Sequence, residues 1–278
     1  MSAPREPFLV PGRRILDEVR DAYRDAYAAS NRDAELRMVV VRFEPAPDTD
    51  PIWAARMEAS RVSADQKVRT FTALGVDAQV VALPDTAPRS QLAAIIDRTN
   101  ADERTTALIV QSPPPPRVQA LLNTIDPAKD IDALGLRSAQ RSCATADGIV
   151  RVATPFLDPD AKVAVVGARG FVGRDVVTGL RAAGYDPLQL DLGDDLRALR
   201  EVDVVLSTTG RPSLLTPEHV RDGQRLVVDS GFMPTPTGPR GDVAPETAAL
   251  PGAITPVPGG IGPVEMGVPL RSVSPGAT

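Results

Sequence analysis

The residues of this chain that could do chemistry fall into a few short groups. Gly167-Ala168-Arg169-Gly170-Phe171-Val172-Gly173 directly follows the apolar run 162–167 and directly precedes a stretch with helical spacing. Glycines so placed permit a tight turn and let a phosphate approach the backbone, and the helix N-terminus that follows favours an anion. The spacing is GxxGxxG rather than GxGxxG, so the standard dinucleotide fingerprint is not met and a purely structural turn stays open. Asp191 ends the next apolar run, where a carboxylate can accept bonds from a ribose; a turn aspartate is the plainer alternative. Arg169 offers a cation to a phosphate. Thr255–Glu265 (TPVPGGIGPVE) carries three prolines and three glycines in eleven residues. Such a run makes a poor helix and a poor central strand, and suggests a fixed backbone path with glycines where a side chain would block a ligand. Lys67 stands four residues after Ser63, which puts both on one face of a helix. Burial would let that lysine act as an acid or base, although a lysine on a helix is ordinarily a solvated charge. Gln111 reads as a strand-end polar residue before a proline loop, and Asp132, in Lys129-Asp-Ile-Asp132, as part of a charged turn.

The elements that must position these residues alternate between apolar runs and helical patterns. Runs at 37–43, 78–83 and 107–111 read as buried strands, with helices around 14–29 (Ile15, Val19, Tyr23, Tyr27), 53–74 and 89–99. A second series pairs strands at 162–167, 187–191, 203–208 and 225–229 with helices at 172–183, 194–201 and 215–221. Strands separated by helices require crossover connections and a mostly parallel sheet, and the second series begins like a dinucleotide-binding fold. The segment 151–161, with two prolines, reads as a hinge, and the tail from Pro269 onward as loose.

Composition excludes several classes. The chain has 278 residues, 42% of them hydrophobic and 24% charged, enough for one large or two ordinary domains with packed cores. A net charge of −5 gives no broad attraction to nucleic acid or an anionic membrane. One cysteine, Cys143, and one histidine, His219, rule out an internal disulfide and make a multi-Cys or multi-His metal site improbable, so no metal is expected. No apolar run approaches a membrane span, and the N-terminus lacks a secretory segment. A cytoplasmic protein is expected.

Taken together the motifs resemble the methylenetetrahydrofolate dehydrogenase/cyclohydrolase (FolD) family over about residues 10–268. Thr255–Glu265 resembles that family's TPVPGGVGPMT loop, with Pro258, Gly259, Gly260 and Pro263 in matching positions and Glu265 where threonine is usual. The family's SxxYxxxK places Ser60, Ser63 and Lys67, with serine at 63 in place of tyrosine. Val110–Pro116 resembles VQLPLP and Pro127–Asp132 resembles PxKDVDG, followed here by Ala133 instead of glycine. The strand-following GxSxxVGxP is matched by Gly167 to Asp175, with Arg169 for the serine. Ser207–Pro212 resembles AAGKP, Asp229–Phe232 resembles DVGI, and Gly241–Val243 matches GDV.

The resemblance implies an α/β protein of two domains, an αβα substrate domain and a Rossmann-like NAD(P)-binding domain with a cleft between them. The expected boundaries are 1–150 for the folate domain, 151–252 for the nucleotide domain, and 253–278 returning to the cleft. It implies oxidation of 5,10-methylenetetrahydrofolate with NAD(P), and possible hydrolysis of the methenyl product to 10-formyltetrahydrofolate. Lys67, Gln111 and Asp132 would be catalytic, with Asp132 holding the pterin. Ser60, Ser63 and the 258–263 loop would contact folate. Gly167, Ala168, Arg169, Gly170, Gly173, Asp191, Thr209, Gly210 and Gly231 would hold the cofactor. Asp191 would repel a 2′-phosphate and so favours NAD over NADP. A homodimer is the family's usual state. Serine at 63, a short 135–146 segment that lacks the family's PCTP prolines, and the want of a helix after Met266 favour an alternative: a diverged paralogue that binds folate or nucleotide with lost or altered catalysis.

Overall fold

The structure, a computed structural model, describes residues 8–30 and 36–272. Its first elements are strand β1 (Phe8–Leu9), helix α1 (Gly12–Ser30), β2 (Arg37–Glu44), α2 (Pro51–Thr72), β3 (Asp77–Pro84), α3 (Arg89–Ala101) and β4 (Thr105–Val110). Then follow α4 (Ala144–Ala153), β5 (Val163–Val166), α5 (Phe171–Ala182), β6 (Leu188–Leu190), β7 (Val204–Ser207), β8 (Leu226–Asp229), β9 (Ala253–Ile254) and α6 (Ile261–Ser272). These form two compact units. One joins Asp17–Ala144 to the chain from Met266 onward; the other joins the described residues up to Leu16 to Thr145–Glu265.

In the first unit, β3, β2 and β4 pair in that order, all parallel. Met38–Val41 and Ala107–Val110 are buried throughout, as expected of strands covered on both faces. Leu92, Ile95 and Ile96 of α3 and Ala64 and Phe71 of α2 supply core side chains. The long α2 starts sharply: Asp50 accepts hydrogen bonds from Ile52 N (3.0 Å) and Trp53 N (3.1 Å), and Pro51 occupies the first turn. At the other end of the unit, Lys129 Nζ donates to the carbonyls of Thr99, Asn100 and Asp102 at 2.8–2.9 Å. A lysine there satisfies carbonyls that the C-terminus of α3 leaves open.

In the second unit six strands form one parallel sheet in the order β1-β9-β8-β7-β5-β6. The order reverses between β6-β5 and β5-β7, so the crevice beyond the carboxyl ends of these strands is a topological switch point. Val163–Val166, Val204–Ser207 and Leu226–Asp229 are buried from end to end. Together the units give the expected two-domain α/β architecture, a substrate-type sheet and a Rossmann-like one.

Several elements differ from the sequence reading. Residues 215–221 are turns rather than a helix, because Leu215 bridges Val243 and the His219 ring accepts from Thr216 N. Residues 194–201 form a 3-10 helix, Leu196–Glu201. Helix α4 takes in the end of the short 135–146 segment and the start of the hinge expected at 151–161, and is followed by a 3-10 turn at Thr154–Phe156. A Cβ at Gly179 would lie 3.1 Å from the Val150 side chain, and one at Gly148 would lie 3.2 Å from that of Val264, so α4 packs closely on α5 and α6. The passage between units falls at Ala144–Thr145 rather than at 150, and Ala253–Ile254 is a strand of the larger sheet. The tail is helical to Ser272 instead of loose from Pro269, and residues beyond it lie outside the described residues. On α1, Val19 is buried and Ile15 half-buried, while the side chains of Tyr23 and Tyr27 lie outside the described residues. Among the described residues no helix is long and apolar enough to cross a membrane.

Candidate functional sites

In the first unit the candidate residues gather on α2 and at the end of β4. Lys67 is 1% exposed, among the largest fully buried side chains described. Its Nζ donates to Ser63 Oγ at 2.9 Å, one helical turn away. Thus the lysine is not the solvated charge that its position alone suggests. One further turn along the same face, Ser60 Oγ donates to the carbonyl of Ser112 (2.8 Å), and Gln111 Nε2 reaches the Ser60 carbonyl (3.4 Å). Gln111 N donates to Val41 O (2.8 Å), which fixes the residue just past β4. The Gln111 Oε1 atom is buried and has no hydrogen-bond partner. Buried acceptors in native proteins are nearly always satisfied, so an orphan at the end of β4 fits a ligand that brings its own donor.

Asp132 is 9% exposed, and its Oδ1 accepts from Ala144 N at 2.9 Å. The turn that presents it is built by Asp130, whose two carboxylate oxygens accept from Leu134 N (3.0 Å) and Gly135 N (2.8 Å). Ala133 sits between them at φ 51°, a left-handed conformation that costs an alanine about 1–2 kcal/mol. Ala133→Gly should therefore raise stability by about 0.5–1 kcal/mol after the entropy of the added glycine is subtracted. Equilibrium urea unfolding of both proteins measures this difference.

In the second unit the turn after β5 frames a cavity of about 390 Å³. Gly167, Gly170, Asp191, Thr208, Thr209 and Arg211 are among the residues that line it. It occupies the switch point of the sheet. Gly167 is left-handed at φ 84°, and a Cβ at Gly170 would meet only the Gly167 carbonyl, at 3.1 Å. Gly170 caps α5 without a side-chain hydrogen bond, so no side chain caps the N–H groups of the first turn. An uncapped helix N-terminus next to glycine backbone fits the pyrophosphate of a dinucleotide. Asp191 accepts from Arg169 N (3.1 and 3.3 Å), and Arg169 Nε stands 3.4 Å from its Oδ2. The guanidinium is 80% exposed, and the carboxylate 18%.

The remaining cofactor candidates play supporting parts here. Ala168 is buried, and Gly173 packs beneath Gly167. Gly210 is left-handed at φ 61°. Gly231 donates its N–H to Asp229 Oδ1 (2.9 Å) and leaves room for Asp242, whose carboxylate would collide with a Cβ at 231. Sequence reasoning missed the roles of this buried acidic pair. Asp242 accepts from Ser207 Oγ (2.6 Å), Thr209 N (2.9 Å) and Arg211 N (2.8 Å), and thereby shapes one wall of the cavity. Asp229 accepts from the backbone N–H groups of Gly231, Asp242 and Val243. Burial, reinforced by the Asp242 charge, pushes the Asp229 carboxyl up to about 7 against these donors. The signal was present in the sequence as an acid in each of the two glycine-containing segments, 229–232 and 241–243.

The proline-glycine run is half loop and half helix, contrary to the expectation from its composition. Pro263 lies in the first turn of α6, where the missing N–H costs nothing. Val257–Pro258 is a cis peptide and Gly259 has φ 107°. At Gly260 a Cβ would lie 2.7 Å from Pro256 O and 2.8 Å from Thr255 Cβ, so that glycine is required by the loop's own backbone. Gly12 N donates to Gly259 O (2.9 Å), and a Cβ at Gly12 would strike the Gly260 carbonyl. No metal-binding cluster occurs among the described residues.

Comparison with known proteins covers both units. The family described as tetrahydrofolate dehydrogenase/cyclohydrolase, catalytic domain, matches residues 11–132, and its NAD(P)-binding domain matches 143–274. The chain is 32% identical over 273 residues to the Bifunctional protein FolD 3 of Rhizorhabdus wittichii, with 89% of each chain covered. It shares its fold with the Trypanosoma brucei methylenetetrahydrofolate dehydrogenase-cyclohydrolase complexed with NADP and inhibitor, at TM-score 0.82 and 23% identity over 97% of this chain and 96% of that one. The NAD-dependent 5,10-methylenetetrahydrofolate dehydrogenase of Saccharomyces cerevisiae has the same fold at TM-score 0.73 and 14% identity, covering 97% and 96%.

Proposed function

The chain belongs to the tetrahydrofolate dehydrogenase/cyclohydrolase (FolD) family, and from that premise we propose which of its residues carry the family's two reactions. The activity is NAD(P)-dependent oxidation of 5,10-methylenetetrahydrofolate, coupled to hydrolysis of the methenyl product. In the first reaction a C–H bond of the one-carbon bridge breaks, and the hydride leaves with its electron pair. In the second, water adds to the resulting cation, the bond to N5 breaks, and 10-formyltetrahydrofolate and a proton are released. When bound, the nicotinamide supplies the hydride acceptor.

The observation that carries the assignment is Lys67, buried and bonded to Ser63, on the helix whose Ser60 carbonyl is reached by the strand-end Gln111, itself with an unpartnered Oε1. Lys67 moves the proton of the attacking water, Gln111 orients the substrate, and Asp132 holds the pterin N–H groups. Ser63 is a far weaker acid than the tyrosine of the family's motif, so the lysine carries the proton transfer with less help. Ser60 keeps the α2 face against the end of β4, and Pro258, Gly259, Gly260 and Pro263 form the folate-facing loop. The 167–173 turn, Thr209 and Gly210 cradle the cofactor phosphates, with Gly231 supporting the wall behind them.

Asp191 is the proposed selector of NAD. A carboxylate at the end of β6 accepts the ribose hydroxyls and repels a 2′-phosphate, and Arg169, held against Asp191, is spent on orienting it. The proposed setting is a cytoplasmic homodimer, by analogy with the family. The test is a spectroscopic assay with 5,10-methylenetetrahydrofolate and NAD or NADP in parallel, following methenyl product and reduced cofactor. The expected result is turnover with kcat/KM at least about tenfold higher for NAD. Turnover with NADP alone would sink the assignment of Asp191, and methenyl product that decays no faster than without enzyme would sink the hydrolytic role of Lys67.

A further inference from the structure

Helix α2 does not stop where the candidate chemistry stops. Ser60 is tied to the turn just past β4, yet the helix begins at Pro51. Its nine residues before Ser60 therefore project about 13 Å past that point, at 1.5 Å per residue. With 100° between successive residues, Trp53, Arg56, Ser60, Ser63 and Lys67 fall in one stripe about 80° wide. Toward its C-terminus the stripe ends at Phe71, which is fully buried. Any ligand that reaches Lys67 along this face must therefore extend the other way, past Ser60 toward Arg56 and Trp53.

Those two side chains are half-exposed, and the Arg56 guanidinium lies 5.8 Å from the centre of the Trp53 ring. Arg56 makes no ion pair among the described residues. The cations and acids nearby are otherwise committed. Arg61, about 120° round α2 from the middle of the stripe, pairs with Glu58 and Asp65; Arg42 pairs with Glu44; and Asp50 caps the helix. The face thus offers an aromatic ring and an unneutralised guanidinium in line with a buried lysine.

We propose that Trp53 and Arg56 form a subsite for the p-aminobenzoyl-glutamate tail of the folate substrate, with Arg56 taking its carboxylates and favouring substrates with more than one glutamate. The proposal rests on the folate reading of the Lys67 site. A planar guanidinium suits carboxylate in a two-point contact, and the indole supplies an apolar surface for the benzoyl ring. The aromatic group that Ser63 lacks is thereby provided two to three helical turns away on the same face.

Trp53 is the only tryptophan in the chain, so its emission reports this subsite directly. Full-length protein is titrated with p-aminobenzoyl-triglutamate and, separately, with p-aminobenzoate. Saturable change in Trp53 emission is expected, with the triglutamate binding at least about fivefold tighter, and with Arg56→Gln abolishing that advantage. Arg56→Lys should restore part of it, because the charge remains and the two-point geometry does not. In turnover, Arg56→Gln should raise KM for triglutamylated methylenetetrahydrofolate about fivefold with kcat unchanged. Equal binding of the two probes, or a triglutamate advantage that survives in Arg56→Gln, overturns the proposal while normal turnover leaves the folate reading intact. Wild-type protein that turns over no folate overturns that reading, and the subsite with it.

Discussion

Lys67→Met should slow enzymatic hydrolysis of methenyltetrahydrofolate by about 10²–10⁴-fold, the range of a lost general acid or base. Methionine suits the test because Lys67 is fully buried. The replacement keeps an unbranched apolar stem in the same space and removes only the charged head. Ser63 loses its bond from Nζ, but it is half-buried and can turn to water. The fold should therefore survive, with a melting temperature close to that of the wild type. Hydride transfer depends chiefly on holding the donor carbon against the nicotinamide, so the dehydrogenase rate should fall much less, by about tenfold. Stopped-flow decay of added methenyltetrahydrofolate isolates the hydrolysis, and reduced cofactor reports the oxidation. If neither rate changes, the proton-transfer role of Lys67 is wrong.

Lys67 also shows where sequence legibility ends. Alternating apolar runs and helical spacings mark all three strands of the smaller sheet and four of the six in the larger, because buried strands and their crossover helices have long, periodic patterns, whereas the two-residue strands β1 and β9 are too short to show one. The same patterning could not say that one lysine on α2 points inward, since a single buried cation leaves no periodic trace. Only the spacing SxxSxxxK, read against a family, marked it. Short elements were misread for a related reason. The turns at 215–221 carry helix-compatible residues, but Leu215 is committed to a bridge with Val243, a contact 28 residues away. The composition of the proline-glycine run points to a loop throughout, although proline is acceptable in the first helical turn, where α6 places Pro263. Asp130 and Asp132 look alike in Lys129-Asp-Ile-Asp132, yet one closes the turn through Leu134 N and Gly135 N and the other accepts from the more distant Ala144 N. Roles set by hydrogen bonds to distant backbone lie beyond local spacing. The glycine turn after β5 was legible because its demand is local, and it is also where the cofactor site can be broken most sharply.

Gly173→Ala should destabilise the protein by about 3 kcal/mol and weaken cofactor binding by about 100-fold. Gly173 sits in the first turn of α5, and a Cβ there would fall on the carbonyl oxygen of Gly167. It would also stand 2.7 Å from that carbonyl carbon and 2.9 Å from Ala168 Cα. These are backbone atoms, so no side-chain rotation relieves the overlap. Nor can the turn retreat: Gly167 N donates to Leu190 O at 2.8 Å, tying it to β6, and Ala168 is buried. The helix must move instead, carrying its uncapped N–H groups away from the place where the phosphates are proposed to lie. Gly170→Ala separates the two effects. At 170 the added methyl meets only the Gly167 carbonyl, at 3.1 Å, and the backbone is in an ordinary extended conformation at φ −69°. Its melting temperature should stay near the wild-type value, while the methyl, on a residue that lines the cavity, weakens binding. Calorimetric titration with NAD, beside thermal melts of both variants, reads the pair. If Gly173→Ala keeps wild-type stability and affinity, the close packing of α5 on the Gly167 turn does not hold the cofactor site.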